Sequence, residues 1–217
     1  MIIGSLNIRG GGNTSKRKRI SCCIKSSNTN IFFIQESKLK VADPSVIGGI
    51  WSGQDIDWAS CNMSGLSGGL IILWKKEVIN PLLSFRGDGF LGVKVLWKRN
   101  LYYMVNIYSP CSINLKRKLW NDLVVLKGNL SDGLWVLGGD FNVATSSSKS
   151  KGINDNYRKV EQREFSEFIK AMDLVDLPYF GNKFSWYSGD GKDMSIIDRF
   201  LISEEICNNW GVVGQTI

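Results

Sequence analysis

The sequence predicts an α/β (α+β) fold in which two mixed β-sheets pack face to face and helices cover their outer faces. Short apolar runs of strand length alternate with longer segments whose apolar residues recur at helical spacing, and one pair of runs folds back as a hairpin. Several apolar runs also end on polar or charged residues, as strands do when a rigid scaffold holds functional groups above a sheet edge. With 217 residues, 43% of them hydrophobic and only 4 prolines, the chain has enough apolar surface for one core. A single domain over residues 1–217 is therefore expected.

Residues 1–8 and the run NIFFIQ at 30–35 form the first two strands, separated by the basic segment TSKRKRISCCIKSS, which has helical potential. After a glycine-rich bend, GLSGGLIILWK supplies another strand, and FLGVKVLWKRNLYYMVNIY reads as two antiparallel strands turned at Lys98 to Asn100. NLKRKLWNDLVVLKGNL spaces Leu115, Leu119, Leu123 and Leu126 at helical intervals, with Ser112 as its cap, and WVLGGDFN follows as a strand. Ala144 to Asn156 (ATSSSKSKGINDN) offer no periodic apolar face and predict a mobile loop. Helix resumes at VEQREFSEFIKAM, and two last strands fit KFSWYS and SIIDRFLIS around the turn GDGK. No internal repeat or linker is visible.

A net charge of +7 and a pI near 9.2 favour a polyanionic partner, either nucleic acid or an anionic membrane. The cysteines Cys22, Cys23, Cys61, Cys111 and Cys207 are odd in number and lack the C-x-x-C spacing of a zinc site or redox pair, so mostly buried thiols of a reducing compartment are expected. The start MIIGSLNIRG has no basic prefix and too short an apolar run for a signal peptide or a membrane span, which predicts a soluble intracellular protein. The sequence contains no histidine. That excludes histidine-assisted serine or cysteine catalysis and histidine-ligated metals, and leaves carboxylates, amides, tyrosine and a hard cation for any chemistry.

Asp140 and Asn142 end the strand WVLGGDFN. Alone they read equally as an Asx turn or as a site, because Gly, Asp and Asn are ordinary turn residues. Other strand ends match them: Asn7 ends the first strand, Glu36 ends NIFFIQE, Tyr108 ends YYMVNIY, and Asp198 interrupts SIIDRFLI. Singly, Glu36 reads as a surface carboxylate and Tyr108 as an interfacial core tyrosine. As a set they read as a site.

That set resembles the endonuclease/exonuclease/phosphatase superfamily, the deoxyribonuclease-I-like fold that includes the abasic-site endonucleases. SLNIRG, FFIQESK, NIYSP, LGGDFN and SIIDRFLIS stand in the family's order over nearly the whole chain. GGLIILWK, FSEFIKAMDLVDLPYFGNKFSW and IDRFLIS resemble in particular the endonuclease domain of plant non-LTR (LINE-type) retrotransposons. The resemblance implies a four-layer sandwich and Mg²⁺-dependent phosphodiester hydrolysis of DNA, with Mn²⁺ and RNA as alternatives. It gives Glu36 as the metal carboxylate and Asn7 as its support. Asp140 would position or deprotonate the attacking water, Asn142 would hold that water and the phosphate, and Tyr108 would contact the phosphate or leaving oxygen.

The family carries a closing Ser-Asp-His strand, whose histidine is oriented by the aspartate matching Asp198 and whose aspartate helps hold the metal. The sequence stops at GVVGQTI without it. A C-terminally incomplete domain is expected, with an exposed sheet edge and weakened catalysis, since one acid/base partner is worth about 10²–10⁴-fold in rate. Two smaller departures point the same way: Leu6 replaces an aromatic residue, and ATSSSKSKG lacks an acidic one.

For nucleic-acid contact the candidates are Arg9, Lys116 and Arg117, with Lys118 beside them, and Trp186, next to Tyr187, as a packing surface for a displaced nucleotide. Most of the 8 tryptophans must nevertheless be core. Lys16 to Arg19 (KRKR) read as a nuclear import patch, a phosphate-contacting face or simply the solvated side of a helix. Three functions stand: a Mg²⁺-dependent DNA endonuclease acting as a monomer, a catalytically inactive nucleic-acid-binding remnant, and a phosphatase of small phosphoesters or inositol lipids.

Overall fold

The computed structural model describes residues 1–11, 13–39, 42–51, 55–62, 68–143, 155–181, 186–187, 194–212 and 214–216. Strand β1 (Ile3–Asn7) leads through helix α1 (Thr14–Ser26) to β2 (Ile31–Gln35), which pairs parallel to β1. Asn13 starts α1 by accepting a hydrogen bond from the Ser15 amide at 2.8 Å. Helix α2 (Pro44–Ile50) follows, capped by Asp43 with a proline in its first turn, and then β3 (Ile56–Cys61) and β4 (Leu70–Lys75). These strands make a four-stranded sheet in the order β1-β2-β4-β3.

The second half contains β5 (Pro81–Gly87), β6 (Phe90–Trp97), β7 (Asn100–Tyr108), α3 (Ile113–Asn129), β8 (Leu134–Asp140), α4 (Asp155–Ala171) and β9 (Leu174–Asp176). The short strands β10 (Tyr179–Phe180), β11 (Trp186–Tyr187) and β12 (Met194–Ser195) precede β13 (Asp198–Ser203), α5 (Glu204–Trp210) and β14 (Gln215–Thr216). A six-stranded sheet runs β5-β6-β7-β8-β13-β9 and is antiparallel except where α3 carries the chain from β7 to a parallel β8. The β6–β7 turn places Lys98 and Arg99 at φ 46° and 70°, the left-handed pair that a two-residue hairpin needs to match strand twist.

Burial explains the layers. β2, β4 and β8 are buried along their whole length, so both of their faces must be covered. Phe33, Ile72, Trp74, Val93, Met104 and Val136 fill the space between the two sheets. Ile20 and Ile24 of α1 and Ile47 and Ile50 of α2 cover the outer face of the smaller sheet through Phe32, Ile34 and Leu73. Trp120 and Leu123 of α3 and Phe165 and Phe168 of α4 cover the larger sheet through Tyr103, Val105 and Trp135. The result is the expected sandwich of two large mixed sheets flanked by helices. No helix among the described residues is long and apolar enough to cross a membrane.

Several sequence expectations need correction. α2, β3 and β5 are not read from the sequence, because two glycines dilute the helical pattern of PSVIGGI and β5 exposes most of its residues. The buried stripe of α3 is Lys116, Leu119, Trp120 and Leu123, while Leu115 is exposed. Ser112 stands at the N-cap without a side-chain hydrogen bond. Asp155 and Asn156 belong to α4 rather than to a loop; the rest of that expected loop, residues 144–154, and the turn GDGK lie outside the described residues. SIIDRFLIS is two strands, since Ile196 and Ile197 leave the ladder: their carbonyls accept from Arg199 Nη2 at 2.9 Å and from the Phe141 amide at 2.9 Å. None of the five cysteines is fully buried; Cys22 and Cys23 sit on the open face of α1 and Cys111 in an exposed turn. Trp51, Trp74, Trp120 and Trp135 are core, while Trp58, Trp97 and Trp210 are only partly buried against it.

Candidate active site

Parallel pairing of β1 with β2 and of β7 with β8 gathers four strand ends at one end of the sandwich. Register then aligns their last residues: Asn7 faces Gln35, next to Glu36, and Tyr108 faces Asp140. Antiparallel β13 begins at the same level, with Asp198 opposite Asp140. At this end of the sandwich the Asn7 side chain joins the two sheets. The Asn7 amide donates to Glu36 Oε1 at 2.9 Å and to Asp140 Oδ2 at 3.0 Å, over a sequence separation of 133 residues in the second case.

Each group is held by local backbone that departs from the strand. Glu36 takes φ 50°, a conformation disfavoured for a residue with a side chain and found mostly where the surroundings enforce it. The enforcement is a close pass of residues 68 and 69: Ser37 N donates to Gly69 O at 3.1 Å and Lys38 N to Gly68 O at 2.8 Å. A Cβ on Gly68 would stand 3.2 Å from the Glu36 Cα, so glycine keeps this close pass free of crowding. On β8, Gly139 has φ 135°, and a Cβ there would lie 2.2 Å from the Ile107 carbonyl oxygen. Only glycine brings β8 this close to β7 immediately before Asp140.

After Asp140 the chain makes the Asx turn that the residue types allow, with the Asn142 amide donating to Asp140 Oδ1 at 2.9 Å. The turn and the site are therefore one structure. Asn142 adopts φ 51°, and its Nδ2 donates to Ser109 O at 2.6 Å, which ties the turn to the end of β7. Behind this layer, Gln35 and Asn106 form a fully buried amide bridge between the sheets. Gln35 Nε2 donates to Asn106 Oδ1 at 2.5 Å, and Asn106 Nδ2 donates to Ile34 O at 2.9 Å and Ile71 O at 3.0 Å.

Burial raises the Asp140 carboxyl to about 6, helped by Asp198 and Glu36, while hydrogen bonds from Asn142 and Asn7 pull it partly back. Burial, then the Glu36 carboxylate to which it hydrogen-bonds, pushes the Tyr108 phenol well above its ordinary range, so Tyr108 stays neutral and able to donate. Like charges thus converge with little compensation: the cation paired with Glu36 is Lys38, at 3.7 Å from Oε2 and half exposed. Among the described residues no three Cys, Asp or Glu side chains form a metal-ligand cluster. The donor set fits a hard cation that keeps most of its water and takes one carboxylate, as Mg²⁺ does, rather than an all-protein cage.

Asn7, Glu36, Tyr108, Asp140, Asn142 and Asp198 are therefore brought together. Arg9 is exposed just beyond β1 at φ 46°, its amide bonded to Asn7 Oδ1 at 3.2 Å. The expectation that Lys116 meets a nucleic acid is corrected: its side chain is 3% exposed, because Nζ turns inward to Asn142 O and Glu161 Oε1, each at 2.5 Å. Arg117 is half exposed but grips Glu164 with Nε at 2.8 Å and Nη2 at 2.7 Å, and Lys118 pairs with Asp88. The Trp186 side chain lies outside the described residues. Sequence reasoning missed Gln35, Asn106 and Gly68. For Gln35 and Asn106 the one signal was adjacency, since a polar residue just before Glu36 and another shortly before Tyr108 interrupt apolar strands.

A family model described as endonuclease/exonuclease/phosphatase matches residues 4–215. No curated protein matches the sequence. Among solved structures, the AP endonuclease LMAP of Leishmania major superposes with a TM-score of 0.68 at 14% identity, covering 94% of this chain and 79% of that one. An AP endonuclease from Archaeoglobus fulgidus gives 0.67 at 15% identity, over 96% and 89%. The endonuclease domain of TRAS1, a telomere-specific non-LTR retrotransposon, gives 0.62 at 14% identity, over 94% and 85%. At such identities these likenesses establish the fold alone.

Proposed function

The chain belongs to the endonuclease/exonuclease/phosphatase family, and on that premise we propose that it hydrolyses phosphodiester bonds of DNA with Mg²⁺, as an endonuclease of the non-LTR retrotransposon kind. The observation that carries the reading is the Asn7 amide bridging Glu36 and Asp140 across the two sheets, which holds a carboxylate for a cation beside a carboxylate for water. The net charge of +7 supports a polyanionic substrate.

In this reading Glu36, oriented by Asn7, would hold Mg²⁺, and Mn²⁺ would suit the same oxygen donors. The cation would supply charge to offset what develops on the phosphoryl oxygens. Asp140, with a carboxyl at about 6, is tuned near neutral pH to accept a proton from the attacking water. The Asn142 amide would fix that water and one phosphoryl oxygen, and neutral Tyr108 would donate to another. Asp198 adds negative charge behind Asp140 and sustains its basicity. Arg9, exposed beside the site, would meet the DNA backbone.

The net charge of +7 would equally serve a second reading, a nucleic-acid-binding protein that does not cut. Plasmid nicking separates the two. Purified protein with Mg²⁺ should relax supercoiled DNA, and Asp140→Ala or chelation should abolish it. Folded protein that binds but does not nick above the Asp140→Ala control would leave the binding role alone.

A further inference from the structure

Three cations are buried among the described residues, Lys75, Lys116 and Arg199, and two of them lie under the turn that follows β8. Lys116 Nζ donates to the Asn142 carbonyl at 2.5 Å. Arg199 Nη2 donates to the next carbonyl, Val143 O, at 2.7 Å, while its Nη1 pairs with Asp176 at 3.1 Å. Phe141 is fixed between them by its amide, which donates to Ile197 O at 2.9 Å. Every residue from Phe141 to Val143 is therefore clamped through its own backbone.

Packing does not ask for lysine at 116. The position falls on the buried stripe of α3 with Leu119, Trp120 and Leu123, where an apolar side chain would continue the pattern. Burying an ammonium is costly unless it is well paired, and a helix-surface lysine ordinarily runs its stem outward to water. Lys116 instead turns in, where Nζ meets both Glu161 Oε1 and the Asn142 carbonyl at 2.5 Å. Beyond the ion pair, the inward ammonium supplies a charged donor to the carbonyl of a residue held at φ 51°.

We propose that Lys116, with Arg199 beneath the adjacent carbonyl, is a positioning residue that holds Asn142 in its left-handed turn and so aims the Asn142 side chain at the site. The inference rests on the reading of Asn142 as a group that touches water and phosphate. It assigns Lys116 a role in the reaction rather than in DNA affinity.

The test compares Lys116→Met, Lys116→Arg and Glu161→Gln in the full chain by ¹⁵N NMR and single-turnover nicking. Lys116→Met should speed hydrogen exchange at the Asn142 amide about tenfold or more, shift its side-chain amide signals and slow nicking. DNA affinity and its salt dependence should stay unchanged, whereas a lost phosphate contact would flatten the log–log slope by about 0.9. Lys116→Arg, which keeps a charged donor, should restore the Asn142 signals at least in part. Glu161→Gln, which keeps a neutral acceptor for Lys116 Nζ, should loosen Asn142 less than Lys116→Met does; loosening as great or greater there would mean that Lys116 serves the ion pair, and would overturn the proposal even if Lys116→Met did not fold. Unchanged Asn142 exchange in folded Lys116→Met, or a flattened salt slope, would also overturn it. Wild-type protein that never nicks but loses Asn142 order on Lys116→Met would defeat the nuclease reading and leave the positioning contact standing.

Discussion

Replacing Asn106 by leucine removes the three hydrogen bonds that tie β7 to β2 and β4 at 2.5, 2.9 and 3.0 Å in a fully buried place. Each such bond contributes about 1 kcal/mol net, and the Gln35 amide left behind loses its best acceptor, so Asn106→Leu should destabilise by about 3 kcal/mol. With a urea m-value of about 2 kcal/mol/M for a protein of this size, the midpoint should fall by about 1.5 M without a change in m. Adding Gln35→Leu replaces both partners by apolar groups of similar size. The double variant should then be more stable than the sum of the singles predicts, by about 1–2 kcal/mol. Equilibrium urea unfolding of the four proteins measures this directly. A midpoint change below about 0.4 M for Asn106→Leu, or additivity within about 0.5 kcal/mol, would refute the claim that the bridge locks the strands carrying Glu36 and Tyr108.

The Asp140 carboxyl, at about 6 in the fold against an ordinary 3.8, binds protons more tightly folded than unfolded. Metal-free protein should therefore lose stability as pH rises from about 4 to about 6, by up to about 3 kcal/mol, and Asp140→Asn should flatten that fall in urea titrations across pH. Glu36→Gln should weaken Mg²⁺ binding in calorimetry at least tenfold, and an unchanged isotherm would remove Glu36 from the cation site. Gly139→Ala should destabilise by about 2 kcal/mol or more, because its Cβ would meet the Ile107 carbonyl at 2.2 Å; a thermal scan matching the wild type would contradict the close approach. DNA affinity should fall steeply with salt, and a flat response in fluorescence anisotropy would exclude the basic surface as its source.

Strand alternation, the helical spacing of Leu119 and Leu123, and the polar endings at Asn7, Glu36, Tyr108, Asp140 and Asn142 are local patterns, each written within a few residues. They were enough to determine two covered sheets and to name the residues that meet at one end of them. The absence of histidine and the excess of positive charge are equally properties of the sequence alone. Lys116 shows the opposite case. Next to Arg117 and Lys118 it reads as a surface cation, and only the packing of α3 against α4 and the β8 turn decides that it faces Asn142. The Gln35–Asn106 bridge spans 71 positions, and the contact of Gly68 with Glu36 depends on how β4 enters its sheet. Such pairings leave no periodic trace, because periodicity reports which side of an element is buried and not what lies across from it. The sequence by itself determined the layers and most of the chemistry that reaches their edge. Tertiary structure decided which polar groups are buried together, since a polar group left buried without a partner is unfavourable and its partner is set by distance in space rather than along the chain.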